Sequence, residues 1–323
     1  MIEDPISDWR RLTGADFARL RGQPTVALVS CSPLEVHGPH LPVIADIAEA
    51  EMLLDAAARR VAEARPGLRF VKLPAIYAAA DVLPHRGSIR FRTSTITRML
   101  EDLGVSLATQ GFDTLWVSNF HGGPRHIVAI EEACARVMRR CPGAKMVPVF
   151  SLLLGRLTGG SSDASHILAE PMGLDVRALL GDVHGGAVET SLLLHGLGDW
   201  VSAQYATLPR RSLEDELARN GQAPLNRGPR PTFFEIVRSF PLRYRYFERE
   251  TYAGDPSLAS AARGARVLDT LSTLTAEAML EVLDGKIAPS AWHSPLWRLR
   301  HLLLSERFGA LADWVLSTRA PGV

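Results

Sequence analysis

Four short apolar runs, each followed by a stretch of different periodicity, constrain this chain more than any other feature. They are "TVALVSC" (25–31), "LRFVKLPAI" (68–76), "DTLWVSN" (113–119) and "AKMVPVF" (144–150). Nearly continuous apolar character over such lengths marks strands covered on both faces. The segments between them have helical spacing. Residues 46–64 are rich in alanine and leucine, 93–111 open at Thr93 or Ser94 and stop at Gly111, and 124–141 are entered through Pro124. A βαβαβαβ order implies a mainly parallel sheet with right-handed crossovers and helices on both faces, a three-layer α/β/α sandwich. Ligands of such sheets lie beyond the carboxyl ends of the strands.

The second half is less regular. "GRLTGGSSDASH" (155–166) reads as a loop, either a lid or a plain connection, and "VHGGAVETSLLLHGLG" (183–198) enters a helix near Ala187. Residues 209–256 are rich in Pro, Arg and aromatics. Within them "FPLRYRYFERETY" (240–252) has partial two-residue alternation, as in a strand or an extended arm. Residues 257–285 predict a long helix, and a tail bearing Trp292, Trp297 and Trp314 predicts one more. With no repeat and no interdomain linker, the simplest organisation is one domain over 1–285 and a C-terminal helical extension over 286–323.

Composition excludes several classes. Lys plus Arg number 36 and Asp plus Glu 35, a net charge of +1 that leaves no footprint for nucleic acid. The start, "MIEDPISDWRRLTG", has no signal-peptide core, and no apolar run approaches membrane-spanning length. Three cysteines, Cys31, Cys134 and Cys141, without CxxC spacing fit a reducing compartment, so a cytoplasmic protein is expected. Cys31, ending a buried strand, reads as a packed core thiol.

The chemistry-bearing residues gather on the predicted rim. "LEVHGPHLPVIAD" (34–46) follows the first strand and "NFHGG" (119–123) the third. Glu35 and His37 are two apart, so on an extended segment they face one side. Asp46 stands at the start of a helix, where it can ligate a cation or cap the helix. His121 lies on the same rim, with Gly122 and Gly123 leaving room for close approach. Glu189, in the first turn of the next helix, can act as a ligand or complement the helix dipole. His40 can orient a ligand or pack against Pro39 and Pro42. Mixed imidazole and carboxylate sets suit Zn²⁺, Mn²⁺ or Fe²⁺.

"LEVHGPHLPVIAD", "NFHGG", "HGGAVETS" and "YAGDPSLASAARG" (252–264) stand in the order and spacing of the creatininase (creatinine amidohydrolase) family, which the chain resembles over about residues 20–285. "RGSIRFRTSTI" (86–96) is similar to a further family segment. The resemblance implies an α/β/α hydrolase, often oligomeric, that uses two divalent metals per chain on a small-molecule amide. It places Glu35, Asp46 and His121 on one metal and His37, Asp46 and Glu189 on the second, with Asp46 bridging. It makes His184 the proton shuttle to a departing nitrogen. Metals that share a water lower its pKa toward neutrality, and a histidine with an ordinary pKa of about 6.5 suits the proton transfer.

The chain departs from the family pattern at Phe120, Pro124, Gly185 and Ala187, where many relatives carry other residues, an acid in place of Ala187 among them. Creatinine-cleaving relatives clamp their ring with tryptophans before the H-A-G block. Between Trp116 and Trp200 this chain has none, so another amide is expected, cyclic or a formamide. A phosphate-bearing substrate would call for rim arginines, for which Arg86, Arg90, Arg92, Arg125 and Arg156 are the candidates. Two other classes stay open: a metal-dependent peptidase or maturation factor with a groove in 209–256, and a non-catalytic metal-binding scaffold.

Overall fold

The computed structural model describes residues 4–158, 165–223, 225 and 233–315. Its strands are β1 (Ile6–Asp8), β2 (Thr25–Ser32), β3 (Arg69–Lys72), β4 (Ile76–Tyr77), β5 (Thr114–Ser118) and β6 (Lys145–Pro148). Its helices are α1 (Gly14–Leu20), α2 (Ala45–Ala64), α3 (Thr93–Thr109), α4 (Pro124–Arg140), α5 (Val149–Thr158), α6 (Ser165–Met172), α7 (Ala187–Leu197), α8 (Leu213–Arg219), α9 (Phe233–Phe247), α10 (Ala261–Leu283), α11 (Arg300–Leu303) and α12 (Glu306–Val315).

The sheet runs β1-β3-β2-β5-β6, with β4 also on β2, and every pairing is parallel. Side chains on a strand alternate between faces, and β2 shows what this achieves. Ala27, Val29 and Cys31 pack with Ile96, Leu100 and Leu107 of α3 and Ala133 and Val137 of α4. Val26 and Leu28 pack on the other face with Leu54, Ala58 and Val61 of α2 and Met279 and Val282 of α10. Both faces are covered, giving the expected three-layer α/β/α sandwich. A further apolar cluster joins α2, α5, α6, α7 and α10 beside the sheet. The α7–α10 crossing is close because Gly264 has no side chain: a Cβ there would lie 1.9 Å from the carbonyl oxygen of Ser191.

Several expectations need correction. Residues 240–252 are neither strand nor extended arm, since α9 runs through Phe247 with Pro241 inside it. The inward residues Ser239, Leu242 and Tyr246 have helical spacing. The run 68–76 is two strands: β3 pairs with Thr25–Leu28 of β2, and β4 pairs with Cys31 and Ser32. Pro74 lies between them, where it need supply no ladder N–H. The run 144–150 pairs only as far as Pro148, and Val149 and Phe150 open α5. The expected cap at Thr93 or Ser94 is displaced, because Arg92 holds the N-cap of α3 without a side-chain bond. Residues 155–158 of the expected loop are helical, and 159–164 lie outside the described residues.

The tail holds a 3-10 turn (Pro295–Leu299), α11 and α12 in place of one helix. It is tied to the body through Glu131 of α4, whose carboxylate accepts from Ser294 N (2.6 Å), Ser294 Oγ (3.3 Å) and Ser151 Oγ (2.8 Å). Among the described residues no helix is long and apolar enough to cross a membrane.

Candidate metal centre

The rim beyond β2 and β5 collects Glu35, His37, Asp46, His121, His184 and Glu189. Glu35 and His37 lie on the irregular segment after β2, which is anchored by Glu35 N donating to Val43 O and by the Leu34–Ile89 bridge. Asp46 is the second residue of α2. It does not cap that helix: Ile44 is the N-cap and makes no side-chain bond. His121 follows β5. Gly185 lets the segment before α7 close over this site, with φ at +58° and a position where a Cβ would stand 3.2 Å from the backbone of His37. Glu189 then projects from the first turn of α7.

Glu35 and His37 are 0% exposed, Asp46 2% and His121 5%. The two oxygens of Asp46 face different histidines: Oδ1 is 3.5 Å from His37 Nε2, and Oδ2 is 3.7 Å from His121 Nδ1. His121 Nδ1 is also 3.1 Å from Glu35 Oε2, and His37 Nε2 is 3.7 Å from Glu189 Oε2. Each histidine donates its remote N–H to a backbone carbonyl, His37 Nδ1 to Glu35 O (3.0 Å) and His121 Nε2 to Ala80 O (3.1 Å). This fixes the tautomer that turns a lone pair inward, as in metal-ligating histidines.

Whether these residues fit a cation is answered by their own bonding. With both histidines neutral in the tautomer just described, Glu35 Oε2, His37 Nε2 and Asp46 Oδ2 are buried and have no hydrogen-bond partner among the described residues. Buried polar atoms left this way cost about 1–3 kcal/mol each, more when charged, so three at one point call for a common ligand. Ligand atoms of Glu35, Asp46 and His121 lie within 4.8 Å of one another, as do those of Glu35, His37 and His184. The donor set is of the nitrogen and oxygen type that divalent cations take. The residues fit.

Electrostatics in the metal-free protein follow from this crowding. Burial alone would lower His37 and His121, but Asp46 and Glu189 hold His37 up at about 10, and Glu35 holds His121 at about 9. Burial would raise Glu35, yet His121, His184 and His37 keep it well below the usual carboxylate range. Glu189 is raised to about 7 by burial, against the pull of His37.

His184 is placed beside this set. Its ring centroid is 3.9 Å from that of His37, and its Nε2 donates to Val36 O at 2.9 Å. Burial, then the charge on His37, pushes it down to about 4. His40 belongs to neither of these groups of ligand atoms and bonds Thr190 Oγ1 through Nε2 at 2.8 Å. Arg125 pairs with Asp81 and Arg156 with Glu281, while Arg90, Arg92 and Arg125 line a cavity of about 240 Å³ beside Ser94, Glu306 and Gly309.

Two acids escaped the reading of the motifs. Asp182 takes Ala187 N (2.6 Å) and Val188 N (3.2 Å), so it caps the helix that carries Glu189. An acid just before a glycine turn that opens a helix was the available signal. Glu49, one turn beyond Asp46, is 2% exposed, and both its oxygens lack partners among the described residues. Burial, then the charges of Glu189 and Asp46, raise it well above the carboxylate range. Its i,i+3 spacing from Asp46 was the signal.

Among curated proteins, none matches the chain by sequence. Solved structures do match. A creatininase described as its Mn form superposes with a TM-score of 0.60 at 19% identity, covering 85% of this chain and 97% of that one. A putative creatinine amidohydrolase from Bacteroides fragilis gives 0.56 at 18% identity, over 87% and 97%. A creatininase variant described as Zn-Zn type gives 0.56 at 18%, over 86% and 98%. At these identities the likeness establishes the fold. The family model for Creatininase, described as creatinine amidohydrolase, matches residues 10–279, a span that holds all six rim residues. The chain therefore belongs to the creatininase family, whose members are metal-dependent amidohydrolases acting on non-peptide C–N bonds.

Proposed function

We propose that this protein is a dinuclear amidohydrolase that cleaves a non-peptide amide-type C–N bond, in a cyclic amide or a formamide, of a small molecule other than creatinine. The observation that carries the reading is the convergence of partnerless buried atoms of Glu35, His37 and Asp46, with one Asp46 oxygen toward each histidine. Glu35, Asp46 and His121 would hold one divalent ion. His37, Asp46 and Glu189 would hold the second. The manganese and zinc named for the solved neighbours support Mn²⁺ or Zn²⁺, and the donor set also suits Fe²⁺. When bound, such ions supply Lewis acidity for the water and for the carbonyl.

The remaining work falls to the chain's own groups. The Val36 carbonyl holds His184 through Nε2, which leaves Nδ1 to move a proton. An amine anion is a poor leaving group, so protonation of the departing nitrogen is the step that His184 serves. Phe247, its ring nearly perpendicular to that of His184 with the two centroids 5.3 Å apart, helps keep water from that imidazole.

Metal analysis after reconstitution should give about two ions per chain. Turnover assays with Mn²⁺ or Zn²⁺ should then favour cyclic amides or formamides over short peptides. A stoichiometry near zero, or turnover of peptides alone, refutes the reading.

We also read the protein as a cytoplasmic homo-oligomer. The free thiols of Cys31, Cys134 and Cys141 support the compartment. Trp292, Leu302 and Leu311, 40%, 45% and 53% exposed on the tail, supply apolar surface for a second copy to cover. A monomer in sedimentation at micromolar concentration would refute the assembly.

A further inference from the structure

We propose that Asp81 is a positioning residue for the metal centre, acting through the loop 78–83; the inference rests on the reading that Glu35 and His121 hold a metal. Among the described residues Asp81 is the one non-glycine with positive φ, at +60°. That angle sets the plane of the preceding peptide, and with it the direction of the Ala80 carbonyl. This carbonyl accepts from His121 Nε2 at 3.1 Å and so fixes which ring nitrogen faces Glu35 and Asp46. A return of Asp81 to negative φ would swing the carbonyl off His121.

The same loop holds the second ligand. Leu83 N donates to Glu35 Oε1 at 2.5 Å, which leaves Oε2 turned to the centre. Asp81 thus sits one residue from the carbonyl that orients His121 and two from the N–H that orients Glu35.

The side chain keeps the loop in this shape. Asp81 Oδ2 accepts from Arg125 N at 2.6 Å and Oδ1 from Arg125 Nε at 2.5 Å, with the two side chains 15% and 13% exposed. Arg125 is the second residue of α4, so the loop is bolted to the first turn of the helix that follows His121. Gly123 completes the fit: a Cβ there would lie 2.3 Å from His121 Nε2 and 2.9 Å from Ala80 O. Aspartate and asparagine tolerate the left-handed region better than other side-chain-bearing residues, which suits Asp81 to both tasks.

The test is Mn²⁺ binding to the metal-free full chain, read from the free-ion EPR signal, with circular dichroism as the control for folding. Loss of an outer partner of a metal ligand weakens affinity by about 10- to 100-fold. That loss is expected of Asp81→Ala with a native spectrum. Asp81→Asn keeps the left-handed tolerance and an oxygen for Arg125 N, and should return affinity to within about threefold of the parent, as the positioning role requires. Parent binding with unchanged affinity in Asp81→Ala overturns the inference alone. So does a loss that only tracks unfolding, or a failure of Asp81→Asn to restore affinity while its spectrum stays native. No binding by the parent chain overturns the metal reading itself.

Discussion

Replacing Glu131 by glutamine should remove a pH dependence of stability that the native chain carries. Glu131 is 1% exposed, and burial raises its carboxyl from 4.5 to about 7, against the hydrogen bonds from Ser294 and Ser151. A folded-state pKa above the unfolded one means that the folded state binds the proton more tightly. The stabilisation is complete below pH 4.5 and is lost as pH rises through 7. At about 1.4 kcal/mol per unit, the shift corresponds to about 3 kcal/mol. Glutamine is neutral throughout and keeps an acceptor for Ser294 N. Urea unfolding of both proteins from pH 4 to 8.5 should therefore give a stability difference, Glu131→Gln minus parent, that rises by about 3 kcal/mol, mostly between pH 5 and 7.5. Subtraction removes the other raised carboxyls, Asp182 and Glu189 among them. Amide exchange at Ser294 should quicken in the parent over the same range. A flat difference curve would mean that Glu131 is not buried against the tail as described.

Asp46→Ala should lose both of the proposed metals in elemental analysis, because one carboxylate faces both histidines, whereas Glu35→Ala should mainly weaken one; full metal content in Asp46→Ala would refute the proposed sharing of Asp46. His184→Asn should retain the metals and lose about 10²–10⁴-fold in kcat. Since Asp182 already caps α7, a wild-type rate in that variant would remove His184 from the reaction. Gly264→Ala should destabilise the fold by about 1–3 kcal/mol in denaturant unfolding, because its Cβ meets the backbone of Ser191 rather than a side chain that can turn aside.

The parts of the molecule legible in the sequence are those whose cause is local. β2 announces itself because both of its faces are buried within one run, and α2, α4 and α7 begin where their prolines, glycines and apolar spacing put them. β1 was not legible. Three residues carry no period, and Ile6–Asp8 is a strand only because Phe70–Lys72 lies beside it. α9 resembles a strand in sequence because its aromatics alternate over 240–252 and Pro241 argues against a helix.

The site divides in the same way. Glu35, His37 and Asp46 share one thirteen-residue stretch and could be named as a set. Which oxygen of Asp46 serves which histidine depends on how β2, α2 and β5 pack. The contribution of residues 78–83 depends on a backbone angle at Asp81 that composition does not encode.

The ends of the sheet set a condition on how copies of this chain can meet. At one side β1 offers three residues before a 3-10 turn (Trp9–Arg11) takes over. At the other, β6 has four residues and closes on Pro148, which has no N–H to give. Short strands and a proline are the means by which edges resist pairing with a neighbouring chain. An intersubunit β-sheet, the route by which many α/β proteins dimerise and by which exposed edges aggregate, is disfavoured at both borders among the described residues, and β4, paired only with β2, offers two residues more. An assembly of this chain is therefore expected to be helical or loop-mediated, and its interface should be disrupted by substitutions on helix faces and in the tail while the sheet is left untouched.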